Sequence, residues 1–306
     1  MHRILFRIPM PFGLQPLEIA AYGTMVALGA IVAIYIASVR ARRLGINPSV
    51  ILDLALVVII SGLIGARLFF FIFDNWSEFT STGVWGGLKK FVNFPSGGLS
   101  FYGALALAIP AGLIFLRKRT KNLWLGADIA VPAIALGIAF ARIGCYLNGC
   151  CFGKVCAPSF PLAQYFPLYQ GGKLELTNPA HHYLLGHLKE VSLPYIPGYI
   201  PPSFEWPLPL YPTQFISSLN ALVIFLILSV LFSRRRFDGQ LFCLFGILYG
   251  VTRFLIEFLR ADNPPNVFGV LSTWQLAGLL LAPASAVLWS ILQRRRRPAT
   301  ARAKSD

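Results

Sequence analysis

The chain has 306 residues, of which 56% are hydrophobic and only 13% are charged, and its formal net charge is +15. Because a soluble globular domain carries about 25% charged residues, this composition excludes an ordinary soluble protein and indicates a polytopic membrane protein. A basic chain can also bind nucleic acid, but 16 of the 27 Lys and Arg residues lie in four short segments beside apolar runs. That distribution is typical of cytoplasmic loops and argues against a nucleic-acid partner.

Seven apolar stretches of about 20 residues predict seven transmembrane helices. They are predicted at 17–39, 49–73, 97–116, 123–142, 213–233, 239–258 and 269–292. An outside N-terminus and a cytoplasmic C-terminus place all four basic segments on the cytoplasmic side, in agreement with the positive-inside rule. The expected fold is therefore all-α. We expect a single integral membrane domain over residues 1–306, with residues 143–212 as an extracytoplasmic loop or cap within it.

Ionised side chains interrupt the predicted spans. They are Arg67 in the second span, Arg142 at the outer end of the fourth, and Arg253, Glu257 and Arg260 in and after the sixth. The last three are spaced four and three residues apart, which places them on one helix face. A charge at mid-bilayer costs roughly 2.5–3.5 kcal/mol. Snorkelling of Arg142 and Arg260 to the outer headgroups is one explanation, but a polar chamber that binds an anionic phospholipid headgroup through Arg is favoured.

A glycine-rich segment, FPSGGLSFYGALA at 94–106, leads into the third predicted span. Gly97 and Gly98 permit close backbone approach and unusual dihedral angles, and free N–H groups at a helix start attract anions. The segment lies on the same predicted face of the membrane as Arg142 and Arg260. Gly98 is therefore a candidate contact of the anionic headgroup.

Four of the five cysteines fall within twelve residues. The five are Cys145, Cys150, Cys151, Cys156 and Cys243. The spacing C-x4-C-C-x4-C lacks the common C-x2-C zinc pair, and its C-x4-C pairs lie at the upper limit of the usual spacing, so no metal site is predicted. A disulfide of Cys156 with Cys145 or Cys151, plain packing, and catalysis by a cysteine remain open, whereas Cys243 is expected to be a small apolar side chain.

Several motifs occur in a characteristic order along the chain. They are GARLFFFIFDNW, SGGLSFYGA, FARIGCYLNGCCFG, YPTQ and LYGVTRFLIEFLRADN, extended toward the two ends by AYGTMVALG and STWQLAG. Over almost its whole length the chain thereby resembles the bacterial phosphatidylglycerol–prolipoprotein diacylglyceryl transferases. The resemblance implies a seven-span inner-membrane enzyme. Such an enzyme moves diacylglyceryl from phosphatidylglycerol to the lipobox cysteine of a preprolipoprotein, forms a thioether and releases glycerol phosphate.

Together with the charge pattern, the resemblance gives a set of candidate site residues. The candidate catalytic residues are Arg142, Arg253, Glu257 and Tyr102, and the candidate phosphatidylglycerol contacts are Arg142, Asn148, Gly149, Gly153, Tyr22, Arg260 and Gly98. Glu257 is expected either to orient the two arginines of its helix or to accept the thiol proton. No ATP-binding loop, Rossmann motif or metal cage occurs in the sequence, so no cofactor is expected.

The chain departs from the family pattern at three positions. Tyr102 stands where the family has the histidine assigned as its base, and Cys145 and Cys150 stand where its best-studied form has asparagine and glutamate. Since a phenol with a pKa near 10 is a poor base at neutral pH, Tyr102 is expected to hydrogen-bond the phosphate ester instead.

Two alternative functions remain. One is a non-enzymatic protein that handles or transports phospholipid, and the other is a diverged relative with another acceptor thiol or headgroup. The first predicts broken helices at mid-membrane or charges in both halves of the membrane, whereas the polar residues gather toward the outer side, with Arg67 as the exception. The Tyr102 substitution keeps the second open.

Overall fold

Helices dominate the structure, which is a computed structural model. It describes residues 4–8, 17–74, 76, 91, 100–120, 122–165, 169–170, 173–174, 209–263, 267 and 269–295. Within these ranges six helices are long and apolar enough to cross a membrane. The prediction of a helical, multi-pass membrane protein is therefore confirmed, while Gly98 and most of the predicted 143–212 loop lie outside the described residues.

Seven helices of 18 residues or more occur in the described ranges. They are α1 (Ala21–Arg43), α2 (Ser49–Phe69), α3 (Phe101–Arg119), α4 (Leu123–Asn148), α5 (Thr213–Leu231), α6 (Gln240–Glu257) and α7 (Thr273–Arg294). A π-helical segment, Phe70–Asp74, continues α2, and a 3-10 turn, Phe232–Arg234, continues α5. Each of these seven helices lies at a predicted apolar stretch. The helix outside the set of six membrane spans is α3, whose last turn is the basic run Arg117–Arg119.

Two short antiparallel pairs of strands accompany the helices. Strand β1 (Ile4–Ile8) pairs with β2 (Leu17–Ala20), and β3 (Tyr169–Gln170) pairs with β4 (Lys173–Leu174). Helix α1 therefore begins at residue 21 instead of the predicted residue 17, because the backbone of the preceding four residues is hydrogen-bonded to β1. The all-α prediction thus misses an N-terminal hairpin.

The helices belong to two compact units. One unit comprises Met1–Ala33 and Val131–Asp306, and the other comprises Ile34–Ala130. In the second unit α2 and α3 pack closely at Gly65 and Gly103, where a Cβ on either glycine would collide with the carbonyl oxygen of the other. Such contacts between small residues let helix backbones approach closely in membranes.

Arg67, the charged residue inside the second predicted span, is stabilised by contacts within this second unit. Its side chain is 2% exposed, and its Nε donates a hydrogen bond to the backbone carbonyl of Phe91 at 3.1 Å. The guanidinium also lies over the ring of Phe71, 4.9 Å from its centroid, where a cation–π interaction stabilises it. These contacts give Arg67 a structural role.

In the first unit, small residues bring α6 and α7 into close contact. A Cβ at Gly278 of α7 would lie 2.6 Å from the carbonyl oxygen of Gly250 of α6. Helix α5 is joined to α6 by a hydrogen bond from Asn220 Nδ2 to Thr252 Oγ1 at 3.0 Å. The end of α6, with Arg253 and Glu257, is thereby fixed against both neighbours.

Replacing Gly278 with valine is expected to force α6 and α7 apart. The added side chain meets backbone atoms, which cannot move aside as a flexible side chain can. Overpacking of this kind costs about 1–3 kcal/mol. The matched control is Gly137→Val in α4, where no described atom lies near the added Cβ. We expect Gly278→Val to lower the midpoint of thermal unfolding in detergent well below that of Gly137→Val. Equal midpoints would contradict the packing argument.

Candidate active site

The carboxylate of Glu257, the last residue of α6, is the centre of a buried polar cluster. Its side chain is 1% exposed. Oε2 lies 2.9 Å from Nη2 of Arg253 and 3.7 Å from Nε of Arg260. Oε1 accepts hydrogen bonds from Asn263 Nδ2 at 2.8 Å and from Ser272 Oγ at 3.1 Å. Oε1 is therefore hydrogen-bonded by two neutral side chains, whereas Oε2 is held by two ion pairs and has no hydrogen-bond partner among the described residues.

The start of α7 supplies the other side of this cluster. Ser272 and Gln275 form a capping box, in which Ser272 Oγ accepts from the backbone N–H of Gln275 and Gln275 Oε1 accepts from that of Ser272. This arrangement satisfies two N–H groups at the helix start and aims the Ser272 hydroxyl at Glu257. In the same turn the ring of Trp274 lies 5.1 Å from the guanidinium of Arg253. Arg253 is thus held by a carboxylate and an aromatic face.

Arg260, just beyond α6, is held by a second carboxylate. Its Nε and Nη2 donate to the two oxygens of Asp262 at 2.9 and 2.7 Å. This side-on geometry is the strong, bidentate form of the Arg–carboxylate pair. With Arg142, described below, the cluster contains three guanidinium groups, those of Arg142, Arg253 and Arg260. It contains two carboxylates, those of Glu257 and Asp262. The cluster carries a surplus of positive charge.

The turn after α4 is tied to the turn after α6 through backbone hydrogen bonds. Gly153 and Arg260 form an antiparallel bridge, and the N–H of Lys154 donates to the carbonyl of Leu259 at 2.8 Å. A Cβ at Gly153 would lie 2.5 Å from Tyr211 Cβ, so glycine is required for this close approach. The bridge fixes the cysteine-rich turn beside Arg260.

Arg142 of α4 belongs to the same electrostatic environment. It interacts electrostatically with Arg260, Tyr249 and Cys151, and Arg253 interacts with both Arg142 and Arg260. Among the described residues the Arg142 guanidinium has no hydrogen-bond or ion-pair partner. Of the three arginines, Arg142 therefore has the donors most available to an anion.

The cysteine-rich turn has an unusual backbone that brings three thiols together. Gly149 and Cys151 adopt left-handed conformations, with φ of 73° and 63°. The carbonyls of Cys150 and Cys151 accept hydrogen bonds from Gln214 Nε2 and Thr213 Oγ1 at the start of α5, at 3.0 and 2.8 Å. The Sγ atoms of Cys145, Cys150 and Cys151 consequently lie within 4.8 Å of one another.

All five cysteines are free thiols, so the disulfide that the sequence left open between Cys156 and Cys145 or Cys151 is not formed. Hydrogen bonds from Cys145 and Cys150, followed by the charges of Arg260 and Arg142, lower the pKa of the Cys151 thiol, while burial acts in the opposite direction. Burial raises the pKa of Cys156, which lacks these partners.

Tyr22 and Asn148 complete the first-unit cluster. Tyr22, in the first turn of α1, packs on Gly144, where a Cβ would lie 3.2 Å from the Tyr22 ring, and its phenol interacts electrostatically with Arg142. Asn148 ends α4 and its side chain hydrogen-bonds Cys150. The structure thus brings together most of the candidate residues, namely Tyr22, Arg142, Asn148, Gly149, Gly153, Arg253, Glu257 and Arg260.

Tyr102 belongs to the second unit, in the first turn of α3, and is 46% exposed. The sequence analysis did not single out several residues that position the cluster. They are Thr213, Gln214, Asp262, Asn263, Ser272, Trp274 and Gln275. One signal for them was present, because S-T-W-Q fits the capping-box pattern of a serine followed three residues later by glutamine.

Apolar helices that end at a buried, net-positive arginine cluster define a multi-pass membrane protein with a candidate site for an anionic group. A profile of the family described as prolipoprotein diacylglyceryl transferase matches residues 9–291. The chain belongs to this family, and the family resemblance of the sequence is confirmed.

Curated relatives match over nearly their whole length. The phosphatidylglycerol–prolipoprotein diacylglyceryl transferase of Clostridium tetani is 30% identical over 271 residues, which cover 89% of this chain and 92% of the relative. The enzyme of the same name from Corynebacterium diphtheriae is 29% identical over 298 residues, covering 95% and 96%. That of Prochlorococcus marinus is 28% identical over 320 residues, covering 97% and 95%.

Replacing Glu257 with glutamine is expected to destabilise the protein, because Arg253 and Arg260 lose the charge that compensates their burial. Removing one partner of a buried ion pair costs about 3–5 kcal/mol. The control is Asp238→Asn, which removes a single ion pair with Arg235 at the longer distance of 3.8 Å and should therefore cost less. Thermal unfolding in detergent measures both. Equal losses would show that Glu257 does not hold the cluster together.

Proposed function

We propose that this chain transfers the diacylglyceryl group of phosphatidylglycerol to the lipobox cysteine of preprolipoproteins in the bacterial inner membrane. The products are a thioether-linked lipoprotein precursor and glycerol phosphate. The observation that carries this proposal is the cluster of Arg142, Arg253 and Arg260 with its surplus positive charge. It suits the phosphate of an anionic lipid, and the relatives are named for the same donor and acceptor.

The proposed membrane arrangement has seven spans, which are the six apolar helices and α3. Its N-terminus lies outside and its C-terminus lies in the cytoplasm. Basic residues occupy the last turns of α1, α3 and α7 and follow α5. The arginine cluster instead lies at the C-terminal ends of α4 and α6 and at the N-terminal ends of α5 and α7. Because positive loops face the cytoplasm, this distribution supports a site that faces the outer leaflet, where preprolipoproteins emerge.

In the proposed reaction Arg142 binds the phosphate of the donor lipid. The acceptor sulfur forms a bond to the glycerol carbon that carries the phosphate, the bond from that carbon to oxygen breaks, and the electron pair leaves on the phosphate oxygen. The thiol proton is released. Charge thus develops on phosphate, next to guanidinium groups that are already in place, and each such preorganised donor contributes roughly 3–4 kcal/mol of transition-state stabilisation.

The contacts of Glu257 support a positioning role. Oε1 of Glu257 accepts hydrogen bonds from Asn263 and Ser272, and Oε2 forms ion pairs with both Arg253 and Arg260, so the carboxylate contacts both arginines of its helix end. The sequence allowed two roles for Glu257. We therefore propose that it orients Arg253 and Arg260. Arg260, already paired side-on with Asp262, adds positive charge to the site and leaves direct phosphate contact to Arg142 and Arg253.

The remaining candidate contacts are proposed to surround the headgroup. Asn148, Gly149 and Gly153 belong to the turn that follows α4, and Tyr22 packs beside it. Gly98 is assigned to the headgroup because of the glycine-rich sequence before α3, and Tyr102 is assigned to the ester oxygen because of the family resemblance. No cofactor is expected from the sequence. The proposed partners are phosphatidylglycerol, preprolipoprotein signal peptides and surrounding membrane lipids.

The direct test incubates purified protein with phosphatidylglycerol and a lipobox peptide and measures the peptide mass. A gain equal to one diacylglyceryl group is expected, and a peptide with serine in place of cysteine is the control. A phospholipid-handling protein that is not an enzyme would bind the lipid and leave the peptide mass unchanged. That outcome would overturn the proposal.

Arg142→Ala is expected to reduce the transfer rate by at least about 100-fold, because it removes a preorganised donor to the developing charge. Arg43→Ala at the exposed end of α1 serves as the control and should leave the rate unchanged. Size-exclusion profiles establish that both variants fold. Near-normal transfer by folded Arg142→Ala would contradict the assignment of Arg142 to phosphate.

Tyr102→Phe is expected to lower the rate without abolishing it, since the hydroxyl is assigned a hydrogen bond to the ester and no proton transfer. The same peptide assay measures the effect. Complete loss of transfer in a folded variant would show that the hydroxyl is indispensable and that its assigned role is wrong.

A further inference from the structure

The proposed reaction leaves one cluster of reactive side chains unused, the three thiols of Cys145, Cys150 and Cys151. We call these residues the thiol cluster. Their Sγ atoms lie within 4.8 Å of one another, and none forms a disulfide. The sequence did not predict a metal site, because its C-x4-C pairs lie at the upper limit of the usual zinc spacing. The fold assembles the ligands differently, from the end of a helix and a left-handed turn.

The geometry of the thiol cluster fits a metal ion. Zn²⁺ binds thiolate sulfur at about 2.3 Å with tetrahedral angles, so bound sulfurs are roughly 3.8 Å apart. The observed separations exceed this by at most about 1 Å, which small rotations of the cysteine side chains can close. Three soft sulfur ligands select Zn²⁺ or Cu⁺ over the hard ions Mg²⁺ and Ca²⁺.

The backbone that carries the thiol cluster is fixed by the protein itself. Cys145 is 6% exposed within α4, and the carbonyls of Cys150 and Cys151 are each held by a side chain of α5, Gln214 and Thr213. The bridge between Gly153 and Arg260 anchors the turn from the other side. The ligands are thus preorganised, as a site built on rigid elements requires.

The charge balance also favours a metal bound to thiolates. Three thiolates around Zn²⁺ carry a net charge of −1, and burying that charge requires compensation. Arg142 and Arg260 both interact electrostatically with Cys151. Their positive charge lowers the cost of burying the net negative charge of the bound site.

We propose that Cys145, Cys150 and Cys151 bind one thiophilic d10 metal ion, Zn²⁺ or Cu⁺, beside the arginine cluster. Binding releases the three thiol protons to solvent. Three protein ligands around Zn²⁺ leave the fourth tetrahedral position open, as in catalytic zinc sites.

The next step rests on the proposed function, in which the acceptor thiol occupies the open position. The acceptor thiol of the preprolipoprotein binds the metal as a thiolate and loses its proton to solvent, because a metal-bound thiol is deprotonated. Its sulfur then forms the bond to the glycerol carbon of phosphatidylglycerol. The carbon–oxygen bond breaks, the electron pair leaves on the phosphate oxygen, and the thioether product leaves the metal.

Metal binding is tested on the full-length purified protein, stripped by chelator and reloaded with Zn²⁺, Cu⁺ or Co²⁺. We expect about one Zn²⁺ or Cu⁺ per chain and, with Co²⁺, near-ultraviolet absorption from thiolate-to-cobalt charge transfer. Cys150→Ser should abolish this absorption and lower metal content at least about tenfold. Cys243→Ala and Cys156→Ala, outside the thiol cluster, are the controls and should keep both. Equal metal content in Cys150→Ser and Cys243→Ala would overturn the site.

A second measurement needs no variant. In the wild-type protein Zn²⁺ should slow iodoacetamide labelling of Cys145, Cys150 and Cys151 at least about tenfold, because metal-bound thiolates are shielded, and should leave labelling of Cys156 unchanged. Unchanged labelling of the thiol cluster would overturn the site even if the serine variant fails to fold.

The acceptor step is tested separately from turnover. A lipobox peptide added to the Co²⁺-loaded protein should shift the visible cobalt bands, and the serine peptide should not, because only sulfur enters the fourth position. A bound metal with no cysteine-dependent shift would overturn the acceptor step while leaving the metal site in place. Failure of the proposed function is distinguished from both, because it appears as unchanged peptide mass under the metal-loaded conditions.

Discussion

The buried carboxylate of Glu257 is the constraint on which the site depends. Two guanidinium groups cannot be packed among apolar helix ends without compensation, because an unpaired buried charge costs several kcal/mol. Glu257 compensates Arg253 and Arg260 together, through ion pairs of Oε2 at 2.9 and 3.7 Å, and its Oε1 accepts hydrogen bonds from Asn263 and Ser272. Its position at the last residue of α6 lets one side chain connect that helix to the start of α7.

Close backbone contacts let this polar cluster form at the end of apolar helices. Gly250 and Gly278 bring α6 and α7 together, and Gly153 allows the turn after α4 to bridge Arg260. A larger residue at these positions would separate the groups by more than hydrogen-bond distance. Arg142, Arg253 and the thiol cluster consequently share one electrostatic environment although α4 and α6 are about 100 residues apart in sequence.

Much of the fold could be predicted, because apolar length is a direct consequence of the bilayer. The seven long helices in the described part of the chain occur where the composition placed them. The charges within apolar segments likewise identified Arg142, Arg253, Glu257 and Arg260. The thiol cluster was not predictable from spacing, since its ligands meet through the left-handed conformation of Cys151. Asp262 and Asn263 were missed because short polar turns have no periodic pattern.

The most direct measurement of the central claim is native mass spectrometry of the protein with an equimolar mixture of phosphatidylglycerol and phosphatidylethanolamine. If the arginine cluster held by Glu257 binds an anionic headgroup, the wild-type protein retains phosphatidylglycerol in preference. Arg253→Gln should lose that preference, and Arg42→Gln, at the exposed end of α1, should keep it. Equal retention of the two lipids by the wild-type protein would contradict the account.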